Sequence, residues 1–185
     1  MVAPLVTRPW VMAVVMLALG LALVGSVSAG GGQPSAALQS FPLYNAGERV
    51  DGLPLVAVLR REDTADFASF VYGDCVAGDD AGCAPPAEIQ IWPACGRNLG
   101  LYDGVQPAGA PAEQIMVRGV PALLFDDGTR LELETGRLTA VVFADTRART
   151  LRIAAALRAV DGTVSPGRPL PQPTRGEGRG GAVDC

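Results

Sequence analysis

Four cysteines carry the most evident chemistry in this sequence: Cys75, Cys83, Cys95 and Cys185. Four thiols allow three pairings, and an even number is typical of a disulfide framework in an oxidising compartment. Cys75 and Cys83 flank a Gly- and Asp-rich stretch, so a bridge between them closes a short loop. We expect this pair to form a disulfide, and we expect Cys95 to pair with Cys185.

Zinc binding and redox exchange are the alternative uses of these thiols. No pair has the Cys-x-x-Cys spacing that either use favours, and the chain has no histidine to complete a zinc site. The acidic residues Asp74, Asp79 and Asp80 lack the alternating oxygen ligands and distal glutamate of a calcium loop. The sequence therefore predicts no metal and no cofactor.

The absence of histidine and lysine restricts acid–base and covalent chemistry, since all 15 basic residues are arginine. Histidine general bases and lysine Schiff bases are excluded. The 19 acidic residues leave a pair of carboxylates, as in glycoside hydrolysis, as the enzymatic alternative. No spacing singles out a pair, and Glu132 and Glu134 alternate with leucines as on the wet face of a strand. We predict no catalytic residue.

Trp92 lies just before a long Pro- and Gly-rich segment, residues 96–111, and Tyr102 lies within it. Together they could form an aromatic surface for a partner, although core packing explains Trp92 equally well. The net charge of −4 argues against a nucleic-acid partner, which calls for a basic patch.

An apolar segment from Trp10 to Ala29 has no charged residue and follows Arg8. It is long enough to cross a bilayer, and it ends in Val27-Ser28-Ala29, a pattern typical of signal-peptidase sites. We expect residues 1–29 to be a signal peptide or a transmembrane anchor, with the N-terminus inside. If the segment is retained, the protein is anchored in the cell membrane by a single pass and the rest of the chain lies outside the cytoplasm. If the segment is cleaved near Ala29, the rest of the chain is secreted.

The remaining sequence divides into a linker, a domain and a tail. Residues 30–40 are rich in Gly, Pro and Ser and predict a flexible linker. Residues 41–161 carry the strand and helix patterns. Residues 162–185 contain many prolines and glycines with no apolar periodicity, so we predict a disordered tail.

The domain has an α+β pattern: a mostly antiparallel sheet with one C-terminal helix packed on a face, preceded by the N-terminal apolar helix. Asp-Gly between two strand-like runs predicts a hairpin at residues 126–129. The apolar run 138–143 predicts a strand buried on both faces. Asp145 or Thr146 should cap a helix over residues 147–160, whose buried face holds Ile153, Leu157 and Val160. Strands are predicted at residues 55–59, 67–72, 88–92, 114–117, 120–125, 130–135 and 138–143, in two groups that could be two lobes of one sheet.

Four short motifs carry a resemblance: Tyr72-Gly73-Asp74-Cys75, Gly82-Cys83-Ala84-Pro85-Pro86, Trp92-Pro93-Ala94-Cys95 and Gly119-Val120-Pro121-Ala122. On these motifs, within about residues 53–160, the chain resembles uncharacterised exported proteins of high-GC actinobacteria. The resemblance implies export and a shared α+β domain. It implies no activity and no catalytic residue.

The sequence thus favours an extracytoplasmic domain that serves as a binding or interaction module at the cell envelope. Its partners would be the membrane, through an uncleaved segment from Trp10 to Ala29, and an envelope protein or ligand. A carboxylate-dependent envelope hydrolase is the alternative.

Overall fold

A computed structural model describes residues 43–62, 66–78, 82–94, 96–97, 99 and 112–174. Within these residues the chain forms a mostly antiparallel sheet with one ten-residue α-helix packed on it. Its elements are β1 (Tyr44–Asn45), β2 (Arg49–Val50), β3 (Leu53–Glu62), β4 (Asp66–Tyr72), β5 (Ala87–Pro93), β6 (Glu113–Val117), β7 (Val120–Phe125), β8 (Arg130–Thr135), β9 (Leu138–Ala144), α1 (Arg147–Ala156) and β10 (Arg158–Ala159).

The main sheet has eight strands in the order β2-β3-β4-β5-β9-β8-β7-β6. Each half of this order contains strands that follow one another in the chain, so the two halves are antiparallel meanders. The seven residue pairs of β5 with β9, from Ala87 opposite Ala144 to Pro93 opposite Leu138, join them. The predicted antiparallel sheet is confirmed, and the two predicted groups of strands are two halves of one sheet.

Local turn chemistry explains the hairpins. The predicted hairpin joins β7 to β8 through a turn at Asp126–Gly128, where Gly128 has φ +92°. Arg118 and Gly119 both have positive φ between β6 and β7, which is the geometry of the two-residue turns that match strand twist. Leu138–Ala144 is buried over its first five residues, as the continuous apolar run predicts.

Helix α1 begins where the sequence predicts and ends earlier. The Thr146 hydroxyl accepts a hydrogen bond from the Arg149 amide at 3.3 Å and so caps the helix. The predicted helix over residues 147–160 is corrected, since α1 ends at Ala156 and Leu157 has non-helical backbone angles, φ −51° and ψ 135°. Arg158–Ala159 instead pairs with Tyr44–Asn45, and this pairing turns Val160 outward to 57% exposure.

One hydrophobic core lies between α1 and the sheet. Ile153, Ala154 and Leu157 belong to this core together with aliphatic residues of β5, β8 and β9. Tyr72 closes one side of this core, where its hydroxyl accepts a hydrogen bond from the Ala46 amide at 2.8 Å and donates one to the Gly47 carbonyl at 3.1 Å. Burial raises the pKa of Tyr72 above its ordinary value. The residues before β2 are thereby fixed to the sheet.

Residues 162–174 differ from the predicted disordered tail. They cross the end of the sheet that carries the β6–β7 and β8–β9 turns, and we call them the strap. Leu170 of the strap is 3% exposed, and its amide bonds to the Arg118 carbonyl at 3.0 Å. The Arg118 guanidinium in turn donates to the carbonyls of Leu157, Ser165 and Arg168. One buried leucine, the Arg118 side chain and backbone hydrogen bonds fix a segment that has no apolar periodicity.

Several predicted segments lie outside the described residues: the apolar helix from Trp10 to Ala29, the linker 30–40, and residues 175–185 of the tail. Among the described residues, no helix is long and apolar enough to span a membrane.

Candidate functional site

The sheet face opposite α1 carries most of the buried polar chemistry that the described residues contain. Alternation along β4, β5, β8 and β9 points Ser69, Glu88, Gln90, Glu132 and Thr139 to this side, while their neighbours in the sequence point to the core. Ser69, Glu132 and Thr139 have 0% exposure. We call this side of the sheet the polar face.

A chain of hydrogen bonds orders the polar side chains of β4 and β5. Ser69 Oγ donates to Glu88 Oε1 at 2.6 Å, and Gln90 Nε2 donates to the same oxygen at 3.0 Å. Trp92 Nε1 then donates to Gln90 Oε1 at 3.0 Å. The Glu88 carboxylate is therefore held by two neutral donors on adjacent strands.

Trp92 lies inside this face and is 3% exposed. Its ring stacks on Phe67 with centroids 3.9 Å apart and planes 11° from parallel. The Arg97 guanidinium lies over the ring at 5.3 Å from its centroid. These contacts match the core-packing interpretation of Trp92 and leave it little surface for a partner. Tyr102, the other aromatic residue of the predicted partner surface, lies outside the described residues.

Glu132 is the most strongly engaged charge of the polar face. Arg97 holds it with two hydrogen bonds, Nε to Oε2 at 3.0 Å and Nη2 to Oε1 at 2.5 Å. Arg130 Nη1 lies 3.5 Å from the same Oε1. The predicted wet face of β8 is corrected here, because Arg97 covers Glu132 and leaves its side chain 0% exposed.

Two further contacts hold the residues that follow β5 against the sheet. Thr139 Oγ1 donates to the Arg97 carbonyl, and the Leu99 amide donates to Glu134 Oε1, both at 2.5 Å. With the Arg97–Glu132 ion pair, they fix the start of the long connection between β5 and β6, residues 94–112. We call Arg97, Leu99, Glu132, Glu134 and Thr139 the loop anchor.

The connection between β4 and β5 carries the predicted disulfide. Cys75 and Cys83 are bonded, with an S–S distance of 2.01 Å and Cα atoms 6.1 Å apart. Arg61 Nη2 donates to the Ala77 carbonyl at 3.4 Å and links this loop to β3. The second expected pair, Cys95 and Cys185, lies outside the described residues.

The arrangement is suited to holding loops in place. General acid–base catalysis by a carboxylate pair needs two carboxyl groups that face a substrate, as in glycoside hydrolysis. On the polar face, Glu132 binds guanidinium groups, and Glu88 and Glu134 accept hydrogen bonds from donors of the protein itself. Within the described residues, no group of three or more His, Cys, Asp or Glu is placed to hold a metal ion.

Arg97 and Glu132 are the residues of this site that sequence reasoning missed. Glu132 alternates with Leu131 and Leu133, which is the pattern of a strand with one exposed face. The residues next to Arg97 in the sequence do not mark Arg97 as the partner of Glu132. The single signal was the length of the connection after β5, which exceeds ordinary loops and is typical of functional surface.

Comparison with protein-family models, with curated proteins and with solved structures finds no match to this chain.

Proposed function

We propose that this chain is an extracytoplasmic binding module at the cell envelope, and that its partner meets the connection between β5 and β6. The loop anchor is the observation that carries the proposal. A buried ion pair is costly to desolvate, and here it fixes the start of the long connection between β5 and β6 on the sheet. Binding residues are found disproportionately on loops that a rigid scaffold positions in this way.

The extracytoplasmic location has two independent supports. The apolar segment from Trp10 to Ala29 has the length and flanking residues of an export signal or anchor. The Cys75–Cys83 disulfide is a bond that persists in oxidising compartments and is rare in the cytosol. Retention of the apolar segment would tether the domain to the membrane through residues 30–40.

A reporter fusion tests the location. An enzyme that is active only outside the cytoplasm, fused after Ser40, should be active in intact cells. A second fusion in which Arg replaces Val14 and Leu17, inside the apolar segment, is the matched control and should lose that activity. An inactive first fusion, with the intact fusion protein recovered from the cytoplasm, would overturn the proposed location.

Site-specific crosslinking tests the binding surface. A photoreactive amino acid is placed at Tyr102 or Gln106 in the β5–β6 connection, and at Ala148 on the exposed side of α1 as control. We expect one crosslinked species common to both loop positions, at least tenfold above the Ala148 control. Equal crosslinking from all three positions would contradict the proposed surface.

A digestion assay tests the hydrolase alternative. Purified protein is incubated with isolated cell-wall glycan, and soluble fragments are measured. We expect no release above that of a Glu88→Gln variant. Release by the wild type that Glu88→Gln abolishes would overturn the binding-module proposal in favour of the enzyme.

A further inference from the structure

Strand β3 forms one edge of the eight-stranded sheet over most of its length. Its outer neighbour β2 has two residues and pairs with Leu53 and Pro54, and the Leu55 amide donates one more hydrogen bond to the Glu48 carbonyl at 2.8 Å. Beyond Leu55, no strand of the described residues flanks the outer side of β3. On the inner side, residues 57–62 pair with β4 in unbroken register. We call residues 57–62 the β3 edge.

The first half of the β3 edge is apolar and accessible. An edge strand presents a row of backbone N–H and C=O groups that an added strand can use, and proteins protect such a row with charged or polar residues. The opposite edge follows this rule, since β6 begins with the exposed Glu113 and Gln114. The β3 edge begins instead with Ala57, Val58 and Leu59. Val58 is 52% exposed, because α1 packs on β8 and β9 and leaves β3 uncovered.

Arg61 is a cation in the second half of the β3 edge. Its neighbour Arg60 forms an ion pair with Asp66 at 2.7 Å, whereas no carboxylate of the described residues forms one with Arg61. Arg61 Nη2 donates to the Ala77 carbonyl at 3.4 Å, and within the described part of the chain its buried Nε has no hydrogen-bond partner. A guanidinium of this kind is suited to a carboxylate, which it can hold through two parallel hydrogen bonds.

Val58 and Arg61 lie on opposite faces of the sheet. Val58 is opposite Phe70 of the main core, and Arg61 is opposite Phe67, which stacks on Trp92 at the polar face. Directly opposite side chains of an antiparallel pair share a face. A strand added antiparallel to β3 therefore meets Arg61 and Val58 with residues that are three positions apart, one on each face.

We propose that the β3 edge binds an extended acidic–apolar segment of a partner protein, which joins the sheet as an antiparallel strand. A carboxylate of the segment pairs with Arg61, and apolar residues two and three positions later lie opposite Leu59 and Val58. This surface does not include the β5–β6 connection, so the proposal is independent of the function proposed above.

The charge of Arg61 favours such a segment over a second copy of β3. On the polar face, alternation along the β3 edge places Ala57, Leu59 and Arg61. A copy of β3 that pairs with this edge about a two-fold axis therefore offers Arg61 an apolar residue or another arginine. Since neither neutralises the guanidinium, the partner must supply the carboxylate.

Selection from random seven-residue peptides displayed on phage, with the full chain immobilised, tests the proposed site. We expect enriched sequences to share an acidic residue followed two and three positions later by apolar residues. Val58→Lys should abolish the enrichment, since a charge protects an edge from pairing. Met116→Lys is the matched control, because it places the same charge on the opposite edge at a residue that is 67% exposed, and it should retain the enrichment. Absence of enrichment on the wild type, or equal enrichment on Val58→Lys, would overturn the site.

A synthetic peptide of the enriched sequence tests the contact with Arg61 by fluorescence anisotropy. Arg61→Gln should weaken its binding at least tenfold. A second peptide, with Gln in place of the acidic residue, should bind the wild type and Arg61→Gln equally. If Arg61→Gln weakens both peptides by the same factor, the carboxylate does not contact Arg61.

Backbone methylation of the same peptide tests the addition of a strand. Alternate amides of an added strand face β3, so N-methylation of one alternating set should abolish binding and N-methylation of the other set should not. Binding that tolerates both sets would show that the peptide does not pair with β3.

Sedimentation of the full chain tests a second copy as the occupant. Val58→Lys and Met116→Lys should both leave the oligomeric state of the wild type unchanged. A wild-type dimer that Val58→Lys dissociates and Met116→Lys preserves would overturn the peptide segment in favour of a second copy.

Discussion

Glu132 and Arg97 form a charged pair that is largely buried on the polar face. The Glu132 side chain is 0% exposed and that of Arg97 is 20% exposed. Desolvation of such a pair offsets most of its attraction, so the pair itself contributes little net stability. Removing one partner is different, because the group that remains keeps its desolvation cost and loses its bidentate counter-charge.

The Glu132→Gln variant tests this reasoning at the scale of one residue. It keeps the size of the side chain and removes its charge, so Arg97 and Arg130 lose their common anion. We expect the free energy of unfolding to fall by about 3 kcal/mol, at the lower end of the range for broken buried pairs, since Arg97 can partly rehydrate. Urea denaturation measures the change.

The Glu113→Gln variant is its matched control. Glu113 pairs with Arg147 through two hydrogen bonds at 2.7 and 2.9 Å, but their side chains are 52% and 45% exposed. Exposed pairs contribute little to stability because water screens them, so this variant should shift the urea midpoint far less than Glu132→Gln does. Equal losses in the two variants would mean that burial of Glu132 does not determine its energetic role.

At the scale of elements, the strap depends on one buried side chain. Leu170 is 3% exposed and packs into the main core, while its neighbour Pro169 is exposed. Leu170→Ala should lower the free energy of unfolding by about 2–4 kcal/mol through the cavity that it creates. Pro169→Ala should cost less than about 1 kcal/mol. A loss below about 1 kcal/mol for Leu170→Ala, measured by urea denaturation, would mean that the strap is not part of the folded unit.

Helix α1 is joined to the β2–β3 turn by an ion cluster. Arg149 and Arg152 both donate to the Asp51 carboxylate at 2.8 Å, and these hydrogen bonds hold the pKa of Asp51 well below its ordinary value. A lowered folded-state pKa contributes stability above the unfolded pKa of about 3.9, and this stability is lost as the pH falls through the folded pKa.

The stability difference between the wild type and Asp51→Asn should therefore depend on pH. The wild type should be more stable than the variant by a constant amount between about pH 5 and 8, and the difference should shrink below about pH 4. Urea midpoints at several pH values measure it. The same comparison in an Arg149→Gln, Arg152→Gln background should show no pH-dependent difference. A difference that survives there would mean that the two arginines do not cause it.

At the scale of the whole molecule, the sequence predicts those features that local patterns determine. Asp127-Gly128 requires positive φ and so marks the β7–β8 hairpin, and the apolar run of β9 requires burial on both faces. Their physical causes lie within a few residues, and both predictions are confirmed.

Features that depend on distant partners were not predictable in this way. The partner of Glu132 lies 35 residues earlier in the chain. The strap is held by hydrogen bonds to its backbone, which leave no pattern in its own side chains, and by Leu170 as its one buried apolar residue, with Val164 partly buried against the core. The end of α1 is determined by the pairing of Ala159 with Tyr44, a residue near the other end of the domain's sequence. In each case tertiary contact overrides the local pattern.

The pairing of β5 with β9, which we call the seam, joins the two halves of the sheet. It leads to a prediction about the cooperativity of unfolding. The core cluster contains Phe70 and Ile89 from one half and Leu131 and Val142 from the other, so neither half has a core of its own. We expect the domain to unfold in one two-state transition. Trp92, on β5 of the seam, is a local fluorescent probe, and Trp10→Phe in the full chain removes the second tryptophan.

Urea unfolding of the Trp10→Phe chain, followed by Trp92 fluorescence and by far-ultraviolet circular dichroism, measures the seam and the whole sheet separately. The two midpoints should coincide, because separating β5 from β9 exposes the shared core. Val142→Ala, which thins the core at the seam, should shift both midpoints downward by the same amount. A fluorescence transition at clearly lower urea than the dichroism transition would show that the halves come apart while each remains folded.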